Sequence, residues 1–439
     1  MSIQYQPRGT SAESIATDVE SAVRSGRLQP GDRLPAVRAL AARLGLSPGT
    51  VAAAYQRLAD RGLLQGQGRR GTVVAGRPPL PVRPRFVLPP GVRNLADGNP
   101  DPALLPDLAP VLATLDAAPG LYGDAGKHPG LVAAATRQLD TDGIPPGTLA
   151  VVGGAMDGVE RVLTAHLRPG DRVAVEDPGY PGVLDLLPAL GFRVVPVPVD
   201  EAGVVPGALA QALAAGASAA VVTPRAQNPT GAAFDAARAR ALRRVLSHHR
   251  DVLVVEDDHA GPVAGASHHS ICAGLRCWAV VRSYAKSLGP DLRVAVLRGD
   301  PTTVARVEGR QALGTGWVSH LLQETVARLL TDPATDRLLR RASTRYARNR
   351  SGLVQALAAQ GLTTTGPSGL NMWVPVPEEQ SAVRALLAAG WAVAAGEPYR
   401  RRAGCGIRVT ISTLTPEESV ALAADLAAAL APAGRTRTA

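Results

Sequence analysis

Three stretches near the start of the chain carry apolar residues at the three- and four-residue spacing of an amphipathic helix. They cover residues 11–24, 35–44 and 48–61. The third stretch follows Ser47, a good N-cap residue, and has proline in its first helical position. Three residues separate the second stretch from the third, which is the length of the turn in a helix-turn-helix motif. After Gly62, two short apolar runs flank a tip rich in glycine and arginine, which predicts a two-stranded wing.

From about residue 94 onward, short apolar runs rich in β-branched residues alternate with helical segments. The runs lie at 173–175, 219–223, 252–256, 279–283 and 293–297. Alternation of this kind is typical of an α/β fold with a largely parallel sheet. Such sheets bind ligands beyond the carboxyl ends of their strands, so polar residues directly after the runs are candidate site residues. The final apolar segment, 420–431, predicts an amphipathic helix because Asp425 interrupts it.

Six prolines between residues 77 and 93 separate the two patterns. Proline disrupts helices and central strands and favours an extended spacer. We therefore predict a first domain at 1–76, a linker at 77–93, a second domain at 94–431 and a flexible tail at 432–439.

The positive charge of the chain is concentrated at one end. The net charge is +10 over 439 residues, and residues 1–85 hold 13 arginines against five acidic residues, or +8. A small basic module joined to a near-neutral body indicates a head that binds a polyanion.

Composition also excludes several classes of protein. No apolar run approaches the roughly 18–20 residues of a membrane span, and the first residues lack the apolar core of a signal peptide. The three cysteines are too few and too scattered for a disulfide framework or a zinc site. The histidine pairs at 248–249 and 268–269 lack a third metal ligand. We expect a cytoplasmic protein without a metal site or a membrane partner.

Only two of the 47 basic residues are lysines, Lys127 and Lys286, so chemistry that needs a primary amine has two candidates. Lys127 lies in a loop rich in glycine and proline, which we interpret as surface. Lys286 follows a predicted strand, and Asn228 and Asp257 follow the two preceding ones, each 29 residues before the next. One strand–helix unit separates them, so these strand ends can converge. With Arg293, they suit a ligand that has an anionic phosphate, an aldehyde and a basic ring nitrogen.

The motifs NPTG at 228–231, EDD at 256–258 and SYAKSL at 283–288, with a trailing Arg293, resemble the site of fold-type I aminotransferases of class I and II. That resemblance implies a mainly parallel large domain, a smaller α+β domain and pyridoxal 5′-phosphate as cofactor. It implies that Lys286 binds the cofactor aldehyde. The other implied cofactor contacts are Asp257 at the pyridinium nitrogen, Asn228 and His259 at the ring hydroxyl, Tyr180 on the ring face, and Arg293, Ser283, Ala155 and Met156 at the phosphate. Arg408 is implied to bind a substrate or effector carboxylate, and Tyr122 to reach the phosphate of a partner subunit in a homodimer.

The runs GDRLPAVRALA at 31–41 and LSPGTV at 46–51 resemble the winged helix-turn-helix of GntR-type regulators. Together, over roughly residues 10–75 and 94–430, the chain resembles the MocR subfamily, which joins such a head to an aminotransferase-like body. This implies double-stranded DNA as a partner. The implied contacts are Arg38, Ser47, Gly49 and Thr50, with the wing tip Gln67, Gly68, Arg69 and Arg70 at or near the minor groove.

Three functions follow from these observations. The first is a transcription regulator that senses pyridoxal 5′-phosphate, an amino compound or both. The second is an active aminotransferase with an attached DNA-binding head, and the third is a structural use of the fold without cofactor. We favour the first, because His259 and Met156 stand where the aminotransferase pattern has a tyrosine and a polar residue.

Overall fold

The computed structural model describes residues 5–60, 62–66, 71–75, 88–115, 121–364 and 366–431. The chain forms two compact units, one built around residues 1–86 and the other around the remainder. Most of the predicted linker and the whole predicted tail lie outside the described residues, as does the predicted wing tip at 67–70.

The first unit is a winged helix-turn-helix, as predicted. Its elements are α1 (Ala12–Arg24), α2 (Val37–Leu44), α3 (Pro48–Asp60), β1 (Leu64–Gly66) and β2 (Thr72–Val74). The two strands pair in antiparallel register. Ser47 caps α3, because its Oγ accepts a hydrogen bond from the N–H of Thr50 at 3.1 Å. Gly45 ends α2 in the left-handed conformation, at φ 67°, which glycine adopts without strain.

Helix α2 begins two residues later than predicted. The preceding segment is extended instead, because Arg33 bridges to Val73 and the N–H of Leu34 donates to the carbonyl of Thr72 at 2.9 Å. The carbonyl of Pro35 accepts a hydrogen bond from the buried hydroxyl of Tyr55 at 2.9 Å. The wing and α3 therefore hold this proline outside the helix.

The second unit contains the remaining helices and strands. The helices are α4 (Ala109–Leu112), α5 (Pro129–Thr141), α6 (Ala155–His166), α7 (Pro181–Ala189), α8 (Pro206–Ala214), α9 (Ala236–Ser247), α10 (Pro301–Ala312), α11 (His320–Thr331), α12 (Pro333–Ala359), α13 (Glu379–Ala388) and α14 (Pro416–Leu430). The strands are β3 (Arg93–Asn94), β4 (Thr148–Val152), β5 (Arg172–Asp177), β6 (Arg193–Asp200), β7 (Gly203–Val204), β8 (Ala217–Val222), β9 (Leu253–Asp258), β10 (Trp278–Ser283), β11 (Ala295–Gly299), β12 (Asn371–Pro375), β13 (Trp391–Ala392), β14 (Ala394–Ala395) and β15 (Gly406–Thr410).

An eight-stranded sheet forms the centre of this unit, in the order β4-β11-β10-β9-β8-β5-β6-β7. Strands β5, β8, β9 and β10 are parallel, whereas β11 is antiparallel to both neighbours. A smaller antiparallel sheet, β12-β15-β14, packs against α13, which also contacts α14. The predicted α/β class is thus confirmed. In the described residues, no helix is long and apolar enough to cross a membrane.

One predicted strand was placed too early. Arg293 does not begin β11, which starts at Ala295. A short 3-10 turn, Pro290–Leu292, precedes Arg293, and Arg293 itself takes a left-handed conformation at φ 49°. Because a positive φ is incompatible with a strand, this arginine lies on the loop before β11.

The stability of the first unit can be tested separately, because all four tryptophans lie in the second unit. Leu40 is fully buried in the core of the first unit. Leu40→Ala should lower the free energy of unfolding of that unit by about 2–5 kcal/mol, since it removes packed methyl groups and leaves a cavity. Circular dichroism should register the loss, while the tryptophan fluorescence transition stays at its wild-type midpoint.

Arg57→Ala, on the exposed side of α3, is the matched control and should change stability by no more than about 0.5 kcal/mol. If Leu40→Ala shifted both signals together, the division into two separately cooperative units would be wrong.

Candidate functional site

A cavity of about 230 Å³ lies at the carboxyl ends of β9 and β10. It brings together ten residues that the sequence predicted for a cofactor or effector site: Ala155, Met156, Tyr180, Asn228, Asp257, His259, Ser283, Lys286, Arg293 and Arg408. Segments far apart in the chain therefore meet at one edge of the sheet.

The side chains at the end of β9 point to opposite faces of the sheet, as strand alternation requires. Asp257 lines the cavity, on the face that α6 covers. Glu256 and Asp258 lie on the other face within a buried charge network. There Asp258 pairs with Arg225 at 2.9 Å and with Arg282 at 2.7 Å. Although burial opposes it, these two guanidinium groups hold the pKa of Asp258 well below its usual value.

His268 completes this network between Glu256 and Asp258. Its Nε2 lies 2.9 Å from the Glu256 carboxylate, and its Nδ1 lies 3.5 Å from that of Asp258. Burial disfavours the charged ring, but the neighbouring carboxylates of Asp258 and Glu256 outweigh it and raise the pKa of His268 to about 9. His268 therefore has an ion-pairing role within this buried network.

Asp257, in contrast, is a buried carboxylate without a compensating partner. Among the described residues, no group donates a hydrogen bond to its Oδ1. Burial, followed by the negative charges of Asp258 and Glu176, raises the pKa of Asp257 to about 7. A protonated ring nitrogen placed here would supply both the missing donor and the missing positive charge.

The amine of Lys286 has a lowered pKa. Burial, together with the positive charge of Arg408, lowers the pKa of Lys286 to about 8, with Asp97 opposing the shift. Its Nζ donates to the carbonyl of Gly98 at 2.7 Å. With a pKa of about 8, roughly a tenth of the Lys286 amines are neutral at pH 7, and the neutral amine is the form that attacks an aldehyde.

The opposite end of the cavity can accept a phosphate. Helix α6 begins there, and its N-terminal N–H groups and dipole favour an anion. Arg293 and Ser283 lie beside them. Arg293 donates to the carbonyl of Gly153 at 3.1 Å. The φ of 109° at Gly154 requires glycine, and the Arg293 guanidinium lies close to this residue, with Nη2 2.8 Å from where a Cβ would be.

Arg408, on β15, closes the cavity from the smaller sheet. Its Nη1 donates to Oδ1 of Asn228 at 3.3 Å, and its Nη2 donates to the carbonyl of Ala96. Its guanidinium carbon lies 5.1 Å from the ring centroid of Tyr399. Among the described residues, Nε has no hydrogen-bond partner. A carboxylate that entered the cavity would find a buried guanidinium with unused donor capacity.

His259 lines the cavity as an uncharged imidazole. Burial, then the positive charge of Lys286, lowers the pKa of His259 to about 4. The imidazole is therefore neutral near pH 7 and can donate one hydrogen bond to a ring hydroxyl.

Tyr122 and Lys127 are not among the residues that line the cavity. Tyr122 is 94% exposed, packs edge-on against Trp317 and does not line the cavity. Lys127, interpreted from the sequence as a surface residue, is partly exposed, and its Nζ pairs with Glu308 at 2.7 Å and donates to the carbonyl of Leu149 at 3.0 Å. In the first unit, Arg38, Ser47 and Gly49 are exposed and Thr50 is partly exposed.

Sequence reasoning missed Asp97 and Gly98, which line the cavity beside Lys286 and Arg408. It also missed further lining residues: Ala285, Pro290, Leu370 and Asn371. The DGNP sequence at 97–100 is typical of a turn. Nothing in that pattern indicates that its carbonyl groups meet a lysine almost 200 positions later.

The sequence matches two family models. The model "Aminotransferase class I and II" matches residues 94–426, and "Bacterial regulatory proteins, gntR family" matches residues 11–74. The vitamin B6 salvage pathway transcriptional repressor PtsJ of Salmonella typhimurium is 41% identical over 426 residues, which cover 96% of this chain and 99% of that protein. The pyridoxine biosynthesis transcriptional regulator PdxR of Corynebacterium glutamicum is 32% identical over 256 residues, 56% of this chain and 55% of that one.

Solved structures show the same fold for the second unit. The kynurenine aminotransferase of Pyrococcus horikoshii superposes with a TM-score of 0.71 at 20% identity and covers 77% of this chain and 91% of its own. The α-aminoadipate aminotransferase LysN of Thermus thermophilus superposes with a TM-score of 0.68 at 23% identity, covering 78% and 92%.

The uncompensated charge of Asp257 predicts a stability effect that depends on pH. Because its pKa is raised from 3.8 to about 7, the folded state binds the proton more tightly than the unfolded state. Stability is therefore lost as the pH rises from about 4 to about 7, and the whole cost is present above that range. Asp257→Asn should raise the free energy of unfolding of the ligand-free protein at about pH 8 by on the order of 3–4 kcal/mol, and change it little near pH 4.

Denaturant titration followed by tryptophan fluorescence measures this difference. Glu176→Gln is the matched control, since burial also raises the pKa of Glu176 to about 7. Both of its carboxylate oxygens accept hydrogen bonds, from Thr223 and Gln227, and an amide nitrogen cannot accept them, so their loss should offset the removal of the buried charge. An Asp257→Asn protein no more stable than wild type at about pH 8 would contradict this account of Asp257.

Proposed function

The chain belongs to the aminotransferase class I and II family and carries a gntR-family DNA-binding domain, and from this premise we propose that it is a transcription regulator that responds to pyridoxal 5′-phosphate. The observation that carries the proposal is the pairing, in one chain, of a DNA-binding head with a cavity that fits this cofactor. The similarity to PtsJ over nearly the whole of both chains supports it, because that relative is a repressor of vitamin B6 salvage.

The residues of the cavity match the cofactor group by group. Asp257 would hold the ring nitrogen, Lys286 the aldehyde, and Asn228 and His259 the ring hydroxyl. Tyr180 would cover the ring, while the start of α6, Ser283 and Arg293 would hold the phosphate. When bound, the cofactor supplies an aldehyde that reacts reversibly with primary amines and a ring that withdraws electrons.

We propose that the segment 95–98 carries the response. The carbonyl of Gly98 accepts from Lys286, and the carbonyl of Ala96 accepts from Arg408. A ligand aldehyde at the amine, or a ligand carboxylate at the guanidinium, competes for these donors. The segment follows directly after the predicted linker, so its rearrangement alters the part of the body nearest in sequence to the head. A ligand acts in this way only if it binds the two arrangements with unequal affinity.

GntR-type heads bind DNA, and the residues proposed for that role are Arg38, Ser47, Gly49 and Thr50, with the wing tip 67–70. We further propose domain limits at 1–76 and 94–431, and a cytoplasmic location. The second unit is proposed to form a homodimer with shared cofactor sites. Tyr122 contacts Trp317. Leu121, adjacent to Tyr122, is 70% exposed, and Leu313, four residues before Trp317, is 92% exposed. A partner subunit would cover these apolar groups and receive Tyr122 at its phosphate.

The two lysines of the chain provide a matched pair of variants. Wild type and Lys127→Ala should both take up the cofactor with the visible absorbance of a lysine-bound form, and Lys286→Ala should not. In a gel-shift titration with the DNA upstream of its own gene, the cofactor should change the affinity of the first two proteins by about 5- to 150-fold, the usual range of allosteric coupling. The affinity of Lys286→Ala should not respond.

If wild type shows the absorbance but the cofactor changes the DNA affinity of none of the three proteins, the proposal of a regulator that responds to the cofactor is wrong. Conversion of an amino acid to its keto acid with turnover would then favour the second candidate, an aminotransferase. The desolvated Lys286 beside the buried Arg408 is the observation that keeps this candidate open.

A further inference from the structure

Helix α12 concentrates positive charge on the second unit. Between residues 333 and 359 it holds six arginines and one acidic residue, a net charge of +5. Residues 86–439 together carry +2, so without this helix they would carry −3. The near-neutral body therefore includes one strongly basic element.

Four of these arginines form a continuous stripe. Arg337, Arg341, Arg345 and Arg348 follow one another at intervals of four, four and three residues, which places them on one helical face. All four are exposed, and we call them the arginine stripe. At a rise of 1.5 Å per residue the stripe is about 16 Å long. On the opposite face, Leu339, Ala342 and Tyr346 are buried in the core, so the stripe stands on a fixed support.

The stripe is not neutralised within the described part of the chain. No carboxylate there lies within the 4.0 Å of an ion pair from any of its four arginines, whereas Arg340, off the stripe, pairs with Asp336 at 2.8 Å. Asp332 and Glu417 lie close enough to interact electrostatically with Arg337 and Arg348 at the two ends. Like charges one turn apart destabilise a helix, so an external polyanion would relieve this repulsion.

Helix α9 shows that arginine content alone does not produce such a stripe. It also holds four arginines, but two of them serve the fold. Arg238 pairs with Asp200 at 2.7 Å, and Arg243 donates to the carbonyl of Ser270 at 2.7 Å. Only Arg240 and Arg244 are exposed, one turn apart.

We propose that the arginine stripe binds the phosphate backbone of duplex DNA, as a contact of the second unit that does not depend on base sequence. The proposal rests on the DNA-binding function proposed above. Guanidinium groups one helical turn apart suit a ligand that presents regularly spaced phosphates, and each can bind a phosphate through two hydrogen bonds. DNA held by the head raises the local concentration of phosphates around the same chain, so a weak second contact is sufficient.

Binding of the full-length protein to a long mixed-sequence DNA duplex, measured by fluorescence anisotropy at several salt concentrations, tests the proposal. Arg341→Ala/Arg345→Ala removes two phosphate contacts per chain, so the slope of log affinity against log salt should become shallower by about 2 for each chain of the bound species. For each chain, the deficit relative to wild type should shrink by roughly tenfold between 50 and 200 mM salt.

Arg240→Ala/Arg244→Ala removes the same charge from α9 and should retain the wild-type slope. Arg341→Lys/Arg345→Lys keeps the charge of the stripe and should also retain it. Equal losses in the two alanine variants would show a general effect of net charge, and a lysine variant as weak as the stripe alanine variant would show a structural effect. Either result, or a stripe variant that binds as wild type does, would overturn the proposal.

Arg38→Ala in the head separates this proposal from the proposed function. If Arg38→Ala weakens binding and the stripe variant does not, the stripe has no DNA contact and the head retains its role. If the stripe variant weakens binding and Arg38→Ala does not, the stripe contact stands and the assignment of Arg38 fails.

Discussion

The site depends on the alternation of three acidic side chains at the end of β9. Glu256 and Asp258 face a network with Arg225, Arg282 and His268, in which each charge has a partner. Asp257 faces the cavity and has no such compensation. Burying an unpaired carboxylate is costly, and the network on the far face holds the strand in the register that imposes this burial. The unsatisfied carboxylate therefore favours binding of a cationic ring. It also lowers the stability of the ligand-free protein.

Lys286 and Arg408 both donate hydrogen bonds to one short stretch of backbone in the cavity, residues 96–98. Gly98 accepts a hydrogen bond from Lys286, and its φ of 71° favours glycine at this position, where a Cβ would also lie 3.2 Å from the Arg408 guanidinium. Thr410 fixes the segment from the other side, because its N–H donates to the carbonyl of Leu95 and its Oγ1 accepts from the N–H of Gly98. Occupancy of the amine and occupancy of the guanidinium are thus connected through the same few peptide groups.

The sequence could predict only those interactions that require a particular pattern of residue types. Asn228, Asp257 and Lys286 were predictable as neighbours, because parallel strands with intervening helices bring equally spaced strand ends to one edge. The role of Gly98 was not, since a carbonyl acceptor can belong to any residue. Arg293 was expected in a strand because apolar residues follow it, but the 3-10 turn before it gives it a positive φ.

The scarcity of lysine has a chemical consequence for a site that binds an aldehyde. Arginine stays protonated in proteins, so its many copies can hold carboxylates and phosphates without competing for an aldehyde. Of the two lysines, Lys127 has its amine engaged with Glu308 and a carbonyl group. Burial and the charge of Arg408 favour the neutral amine at Lys286. Selectivity for one amine therefore arises from desolvation and charge repulsion at the cavity, and a composition rich in arginine removes almost every competing site.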